Sequence, residues 1–430
     1  MDVLALDIGS SSVRARRFDE AGAPVDELRQ DRYVTSDADD VARLVHDVLG
    51  GAEPVGTSCF GHSLVALDER DRPLTPILGW RDMRSTGAAE RLCRRLDRDA
   101  VHARTGAYLH PSFWPAKLAW LAAAEPETFR VAKRFVSFVE YVRGSETTSA
   151  SMASTTGLLD LTTNVWDAEL LDVLELDAER LPRIGDEPVW LDGACANVGA
   201  GCVGPGRAAL TVGTSGALRV VREVERPQPV PGLFCYRLEG RRVVEGGALS
   251  DGGNLHDWIV RTLADPGGSL ADRDPDSHGL TFLTLLGGER STGWDPLATG
   301  AVAGLTFATT TLDLRQAALE GVAYRFAEIA DLLPEVDQVV ATGGALLANP
   351  DWMQIMADVL ARPLTVSGVA EASLRGAAVL ALERLGHVAG PAPTGRVFEP
   401  REERADAYRS GRDRQRALYE AMRSFHQETL

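Results

Sequence analysis

The amino-acid sequence predicts an α/β protein built from two domains. Its length is 430 residues, and at about 100–200 residues per domain this accommodates two domains with separate cores. A strand–turn–strand pattern occurs in residues 3–15 and again in residues 209–221. After each copy, segments with helical and strand periodicity alternate, which is typical of α/β domains.

The repeated pattern consists of an apolar strand, a turn of glycine and hydroxyl residues, and a second strand. The turns are Gly9-Ser10-Ser11 in the first copy and Gly213-Thr214-Ser215 in the second. Each copy predicts a β-hairpin. Because the copies lie about two hundred residues apart, they indicate duplicated domains and not a solenoid of short repeats.

The other elements follow from apolar spacing along the chain. Helices are predicted over residues 37–49, 116–124, 314–333, 352–360 and 373–385, with a strand over 337–341 and a polar surface helix over 401–427. Residues 199–206 are dense in glycine and predict the hinge between the domains, which are therefore expected to span residues 1–203 and 204–430. The G-x-G-x-x-G pattern in this hinge is followed by proline and a strand, so it does not predict a dinucleotide site.

Charge and composition exclude several classes of function. The net charge of −17 argues against nucleic acid or an anionic membrane as a partner. No apolar run approaches the roughly 18 residues that cross a bilayer, and Asp2 and Asp7 interrupt the first apolar stretch, which argues against a signal peptide. The five cysteines are scattered, so no disulfide framework or structural zinc is expected. The sequence thus predicts a cytoplasmic protein.

Nucleotide binding, if present, must use an unusual route. The only lysines are Lys117 and Lys133, and neither belongs to a phosphate-binding loop of the G-x-x-x-x-G-K-[ST] type. The two glycine–hydroxyl turns offer an alternative, since consecutive backbone N–H groups and hydroxyls form a concave anion site. Asp7, at the end of the first strand, is suited to holding Mg²⁺ through water. The alternative interpretation is that each turn only connects two strands.

Two further segments carry candidate functional residues. Gly343 and Gly344 follow a strand and precede a helix, where small residues allow a planar ring to approach the backbone, although such a pair also occurs in simple turns. Asp192 opens a short helix of small residues. It is a candidate general base that takes a proton from a substrate hydroxyl, or alternatively only the cap of that helix.

Taken together, these segments resemble the FGGY family of carbohydrate kinases over nearly the whole chain. Residues 7–11 resemble the first phosphate motif of the family, residues 213–216 the second, and residues 342–345 with Asn349 the adenosine motif. Residues 371–377 resemble the segment that follows the adenosine motif. The resemblance implies two ribonuclease H-like domains of the actin-like ATPase fold, with a cleft between them in which ATP and sugar bind.

The resemblance also implies roles for individual residues. Asp192 matches the catalytic base and, with Asp7, a Mg²⁺ site reached through water. ATP is expected to contact Asp7, Gly9, Ser10, Ser11, Gly213, Thr214, Ser215, Gly343, Gly344 and Asn349, and the sugar to contact Gly61, His62, Asp82 and Glu140. The alternatives are that His62 is a satisfied buried histidine and that the two acidic residues are surface charges or ion-pair partners.

The expected activity is transfer of the γ-phosphoryl group of ATP to a hydroxyl of a sugar or sugar acid, with gluconate as the first candidate and a homodimer as one expected assembly. Residues 62–85 and 104–121 favour the gluconokinase branch. The chain departs from the family pattern in being shorter around residues 143–148 and 182–191, just before Asp192. A catalytically weakened sugar- or nucleotide-binding relative, and a non-sugar ATPase or phosphotransferase on the same fold, are therefore the alternative functions.

Overall fold

The chain folds into two compact units that are interleaved along the sequence. The computed structural model describes residues 1–263, 267–271, 273–334 and 336–429. Unit 1 comprises residues 1–203, 221–245 and 369–392, and unit 2 comprises residues 204–220, 246–368 and 393–430. The predicted domains were continuous segments divided after residue 203, whereas unit 1 also takes in two later segments.

The first 203 residues form eleven strands and nine helices within unit 1. The strands are β1 Val3–Ile8, β2 Ser12–Phe18, β3 Arg29–Arg32, β4 Gly56–Cys59, β5 Val65–Leu67, β6 Arg134–Val136, β7 Thr147–Ser149, β8 Leu159–Asp160, β9 Val165–Trp166, β10 Arg183–Gly185 and β11 Val189–Leu191. The helices are α1 Ala38–Leu49, α2 Thr86–Arg95, α3 Arg98–Thr105, α4 Trp114–Ala124, α5 Pro126–Val131, α6 Phe138–Arg143, α7 Ala150–Ser154, α8 Ala168–Val173 and α9 Asp192–Gly199.

The described part of the chain beyond residue 203 continues with nine strands and six helices. The strands are β12 Gly206–Val212, β13 Gly216–Glu223, β14 Phe234–Glu239, β15 Arg242–Leu249, β16 Thr281–Leu283, β17 Ala301–Ala303, β18 Val336–Thr342, β19 Leu364–Ser367 and β20 Thr394–Phe398. The helices are α10 Gly253–Thr262, α11 Thr311–Leu332, α12 Gly344–Leu347, α13 Pro350–Leu360, α14 Ala372–Arg384 and α15 Ala405–Thr429. Of these, β14 and α14 belong to unit 1.

The main sheet of unit 1 has the strand order β11-β4-β1-β2-β3. Strands β1, β4 and β11 are parallel, while β1 pairs with β2 in the antiparallel hairpin predicted from the sequence. Every residue of β1 is buried, which explains why its sequence is a continuous apolar run broken only by Asp7. The core on one face includes Ile8, Val13, Val41 and Val45, the last two from α1.

Unit 2 repeats this arrangement around the second hairpin. Strand β12 pairs with β13 antiparallel and with β18 parallel, and β18 continues in parallel to β19. Strand β20 closes this side of the sheet antiparallel to β19. Both predicted hairpins are thus confirmed, each beside a parallel strand, as expected of duplicated domains.

The predicted helices are confirmed with small shifts at their ends. The segments predicted over 37–49, 314–333 and 373–385 are α1, α11 and α14, and the polar tail forms α15. In the predicted hinge, α9 ends at Gly199 and β12 begins at Gly206. The G-x-G-x-x-G pattern of the hinge is therefore followed by a strand and not by the helix of a dinucleotide site. Among the described residues, no helix combines the length and apolar character that spanning a membrane requires.

Candidate active site

The candidate site in unit 1 lies where three parallel strands end side by side. Ile8 of β1 is in register with Cys59 of β4, and Cys59 is in register with Leu191 of β11. The carboxyl ends of these strands therefore lie at one edge of the sheet. Beyond that edge come the turn that begins at Gly9, then the segment with Gly61 and His62, and then Asp192. Since neighbouring strands lie about 4.8 Å apart, this arrangement brings the segments together.

The shortened segment before Asp192 still forms a strand, β11. Its three residues, Val189, Trp190 and Leu191, are all buried and pair in parallel with residues 57–59 of β4. The short chain before Asp192 therefore still supplies a strand that fixes the position of the carboxylate. The Leu191 amide donates a hydrogen bond to Ser151 Oγ at 3.1 Å, and this bond holds the end of the strand.

Asp192 is the first residue of α9, and the cap position of that helix is Leu191. One carboxylate oxygen of Asp192 accepts a hydrogen bond from the amide of Gly193 at 2.7 Å. The backbone carbonyl of Asp192 accepts a hydrogen bond from Ser373 Oγ at 3.2 Å, so α14 also holds this position. A helix of small residues begins at Asp192 as predicted, but the alternative role of Asp192 as its cap is wrong: the cap position is Leu191, and no side chain caps the helix there.

Asp7 has a buried carboxylate with two hydrogen-bond partners. The side chain is 2% exposed, and its oxygens accept from Ser58 Oγ at 2.7 Å and from the Arg14 guanidinium at 2.9 Å. Burial raises the pKa of Asp7, while the bonds from Ser58 and Arg14 act in the opposite direction. Arg14 also lies 3.3 Å from a carboxylate oxygen of Glu371, so one guanidinium links two acidic groups.

The donor set at this edge is suited to Mg²⁺ bound through water. Mg²⁺ prefers oxygen ligands and usually keeps several of its waters. Each carboxylate oxygen has two lone pairs, so Asp7 retains acceptor capacity beside Ser58 and Arg14. The residues therefore fit hydrogen bonds to the waters of an ion, with Asp7 and Asp192 as the residues that would hold it.

A second group of potential metal ligands in unit 2 does not fit an ion. Asp276, His278 and Glu320 bring their ligand atoms within 4.8 Å of one another. However, His278 Nδ1 accepts from the Leu280 amide, so Nε2 carries the proton and donates to Glu320 at 3.1 Å. Glu320 also accepts from Gln316 at 2.8 Å. These bonds use the atoms that a metal would need.

The first phosphate turn presents unused backbone donors. Its ends are held by the Gly9 amide, which donates to the carbonyl of Ser12 at 2.9 Å, and by Tyr33, whose hydroxyl donates to the carbonyl of Gly9. Ser10 and Ser11 are exposed, and in the described part of the structure their amides donate no hydrogen bond. The two adjacent N–H groups and two hydroxyls are the features of an anion site.

The second phosphate turn is held from behind by the start of α10. The amides of Gly253 and Asn254 donate to the carbonyls of Gly213 and Thr214 at 2.8 and 3.1 Å. The amides of Thr214 and Ser215 have no partner among the residues that the structure describes. A Cβ atom added at Gly213 would meet nothing within 4 Å. This turn therefore has open space at Gly213 within unit 2, and like the first turn it presents two backbone amides without a partner in the described structure.

The adenosine-motif glycines differ from one another in what they require. Gly343 has a φ of +91°, and a Cβ there would lie 2.4 Å from the carbonyl oxygen of Val212. The backbone conformation and the close packing at position 343 therefore require glycine. At Gly344 the fold leaves open space, since a Cβ there would meet nothing within 4 Å. Asn349 Oδ1 accepts from the Trp352 amide at 3.1 Å and caps α13, which leaves its side-chain NH₂ group as a donor for a ligand.

Among the predicted sugar contacts, Gly61 and His62 lie next to the strand that carries Asp192. A Cβ at Gly61 would lie 2.8 Å from Leu191 Cδ1, so glycine permits this close packing. His62 is 7% exposed, with a φ of +66°. Its Nδ1 lies 2.6 Å from the carbonyl oxygen of Thr155 and must carry the proton, since a carbonyl only accepts. When the ring is neutral, its Nε2 atom is a hydrogen-bond acceptor.

Lys117 is buried beneath these residues and was assigned no role from the sequence. It is 1% exposed, and its ammonium donates to the backbone carbonyls of His62, Leu78 and Ser112. Burial lowers the pKa of Lys117 to about 7, although the charge of Asp82 opposes this shift. The three bonds tie together three separate segments of unit 1, so Lys117 positions His62.

Asp82 and Glu140 have structural partners that the sequence did not predict in full. Asp82 accepts from Arg84 Nε at 2.9 Å, which is the ion pair considered as its alternative role. Partial burial raises the pKa of Asp82, but the bonds from Arg84 outweigh it and hold the pKa below its usual value. Glu140 is 3% exposed and is therefore not a surface charge. Its carboxylate accepts hydrogen bonds from the Ser137 amide at 2.7 Å and from Thr148 Oγ1 at 2.6 Å. Its contact with a sugar stays a prediction.

Comparisons with known proteins point to one family. A family model described as the FGGY family of carbohydrate kinases, N-terminal domain, matches residues 51–187, and the model of the C-terminal domain of that family matches residues 208–383. Gluconokinase from Bacillus subtilis is 30% identical over 376 residues, covering 76% of this chain and 73% of its own. Glycerol kinase from Thermus brockianus is 31% identical over 357 residues, covering 72% and 71%.

Solved structures give the same result. The gluconate kinase from Lactobacillus acidophilus has a TM-score of 0.85 at 25% identity and covers 98% of both chains. A structure described as a xyloylose kinase from Brucella ovis has a TM-score of 0.86 at 26% identity, covering 99% of this chain and all of its own. The α/β fold class of the actin-like ATPase type is therefore confirmed.

Proposed function

Because the chain belongs to the FGGY family of carbohydrate kinases, we propose that it transfers the γ-phosphoryl group of ATP to a hydroxyl group of a sugar acid, with gluconate as the first substrate to test. The observation that carries this proposal is the buried strand β11, which ends just before Asp192 and lies in one sheet with β1 and β4, the strands that precede Gly9 and Gly61. The carboxylate and the first phosphate turn thus share one edge of a rigid sheet.

In the proposed reaction, Asp192 acts as the general base. Its carboxylate takes the proton of the acceptor hydroxyl as that oxygen forms a bond to the γ-phosphorus, and the bond from this phosphorus to the bridging oxygen of ADP breaks. Because the transition state of phosphoryl transfer is loose, positioning and neutralisation of charge supply most of the catalysis. The backbone N–H groups of Ser10 and Ser11, and those of Thr214 and Ser215, are the proposed donors to phosphate oxygens.

Mg²⁺ is part of the proposal. When bound, the ion neutralises charge on the phosphate oxygens. Asp7 is proposed to accept hydrogen bonds from its waters, while Ser58 and Arg14 hold this carboxylate in one orientation. Glu371, through its contact with Arg14, keeps the guanidinium in place.

A screen of acceptors tests the proposed function. ADP release is coupled to a spectrophotometric assay, with MgATP and a panel of sugars, polyols and sugar acids. We expect release that depends on the acceptor, with gluconate among the substrates. ATP loss that is independent of any added acceptor would favour an ATPase, and acceptor binding without ADP release would favour a non-catalytic binding protein.

Replacement of Gly213 by valine is expected to raise the KM for ATP by at least 10-fold with little change in the melting temperature. The reason is that unit 2 leaves open space at this position, so the new side chain meets the ligand and not the fold. Steady-state kinetics and thermal unfolding provide the two measurements.

The control for this variant is Gly343→Ala, whose Cβ would lie 2.4 Å from the Val212 carbonyl oxygen. That variant is expected to lower the melting temperature, because its backbone needs a positive φ. An unchanged KM for ATP in a folded Gly213→Val variant would contradict the assignment of this turn to the nucleotide.

A further inference from the structure

A cavity of about 200 Å³ in unit 1 is lined by the first phosphate turn and by aromatic side chains. Ser10 contributes the turn, and Tyr33, Phe60 and Trp80 contribute the rings. Thr35 adds a hydroxyl and Arg81 the cation. The cavity is smaller than the pockets of drug-sized ligands, which suits a small polar molecule.

Arg81 is an exposed cation that lines the cavity. In the part of the chain that the structure describes, its guanidinium makes no ion pair and lies 4.7 Å from the centre of the Trp80 ring. Partial burial lowers the pKa of Arg81. The adjacent Asp82 is already bonded to Arg84. Arg81 is therefore a positive charge that the ring orients and the fold does not neutralise.

These features match the chemistry of a linear sugar acid. A guanidinium presents paired N–H donors that bind a carboxylate in bidentate fashion. The aromatic rings offer apolar surface to the C–H groups of the carbon chain. Hydroxyl groups of the ligand find partners in Thr35 and Ser10, and Ser10 belongs to the turn proposed to bind phosphate.

We propose that Arg81 binds the carboxylate of a linear sugar acid in this cavity and so selects acids over neutral polyols. This inference rests on the proposed kinase function, because it gives Arg81 a role in recognising the acceptor. Phosphate oxygens of ATP are the other anion that the same guanidinium would bind. The two sources of negative charge are distinguished by measuring each ligand separately.

The test compares binding of gluconate and sorbitol, which differ at one end of the chain by the carboxylate. Isothermal titration is performed on the parent and on Arg81→Gln, with Arg94→Gln as control. Arg94 is exposed on α2 and does not line the cavity. Its replacement therefore makes the same change of charge at a place away from the proposed ligand. We expect Arg81→Gln to weaken gluconate binding by about 10- to 100-fold, the range for loss of one charge-assisted interaction.

Sorbitol and MgATP binding are expected to change less than threefold in Arg81→Gln, and Arg94→Gln is expected to match the parent throughout. Equal weakening of gluconate and sorbitol, unchanged gluconate binding, or absence of gluconate binding in the parent would each overturn the inference. Weakened MgATP binding alone would assign Arg81 to phosphate instead. Because titration needs no turnover, these outcomes are independent of the ADP-release screen, whose failure would concern the proposed kinase activity.

Discussion

Asp192→Asn is expected to lower kcat by about 10²- to 10⁴-fold, which is the usual contribution of a positioned general base. Asparagine has nearly the same shape as aspartate, and its side-chain oxygen can still accept the 2.7 Å hydrogen bond from the Gly193 amide. What it cannot do is take a proton from the acceptor hydroxyl. We therefore expect the KM for ATP and the melting temperature to stay close to those of the parent, as measured by steady-state kinetics and calorimetry.

The control for Asp192→Asn is Asp177→Asn. Asp177 likewise accepts a hydrogen bond from a nearby backbone amide, that of Glu179 at 3.0 Å, at the start of a short helical turn. Asp177 lies outside the candidate site, so its replacement removes a charge from the start of a helical turn without affecting proton transfer from the acceptor hydroxyl. If Asp192→Asn and Asp177→Asn both keep the kcat of the parent, Asp192 has only a structural role.

The sequence predicts the two hairpins and the helix at Asp192 because their signals are local. A glycine–hydroxyl turn between two apolar runs predicts its own conformation, since the turn residues set the backbone and the runs set the pairing. The buried strand before Asp192 has a weaker local signal, because Val189, Trp190 and Leu191 form only a short apolar run. Its pairing with β4 depends on residues 57–59, which lie far away along the chain.

The partners inside the site could be predicted only in part. Asp7 and Arg14 are opposite one another across the first hairpin, so the register of that hairpin offers a signal for their ion pair. Lys117 offers no such signal, because its three acceptors, among them His62 and Ser112, come from distant segments. Glu371 reaches Arg14 only because α14 returns to unit 1, and neither apolar spacing nor charge along the chain encodes that return.

The return of α14 to unit 1 places two helices in close contact through one glycine of each, Gly376 of α14 and Gly199 of α9, the helix that begins at Asp192. A Cβ at Gly376 of α14 would lie 1.9 Å from the carbonyl oxygen of Cys195 in α9, and a Cβ at Gly199 would lie 1.8 Å from the carbonyl oxygen of Ala372. Arg375 adds a hydrogen bond from its guanidinium to the Gly199 carbonyl at 2.9 Å. The backbones of α9 and α14 thus meet directly, and this contact fixes the height of α9 above the sheet.

Gly376→Ala is therefore expected to lower kcat by about 100-fold, although residue 376 bears no functional group. Its methyl group must move from 1.9 Å to the 3.4 Å at which ordinary contact with Cys195 begins, and a shift of about 1 Å in a catalytic group has a cost of this size. Overpacking is also expected to reduce the free energy of unfolding by about 1–3 kcal/mol. Kinetics are measured below the melting transition, where circular dichroism verifies that the variant is folded.

Gly87→Ala provides the matched control for this substitution, because Gly87 is also helical but its Cβ would meet only Arg91 Nη1, at 3.7 Å. That variant is expected to keep the kcat of the parent and to gain up to about 1 kcal/mol of stability, since alanine favours a helix over glycine. The two variants add the same methyl group, so a difference in kcat between them measures the displacement of α9. A Gly376→Ala variant with the kcat of the parent would show that α9 holds Asp192 in place without the close contact to α14.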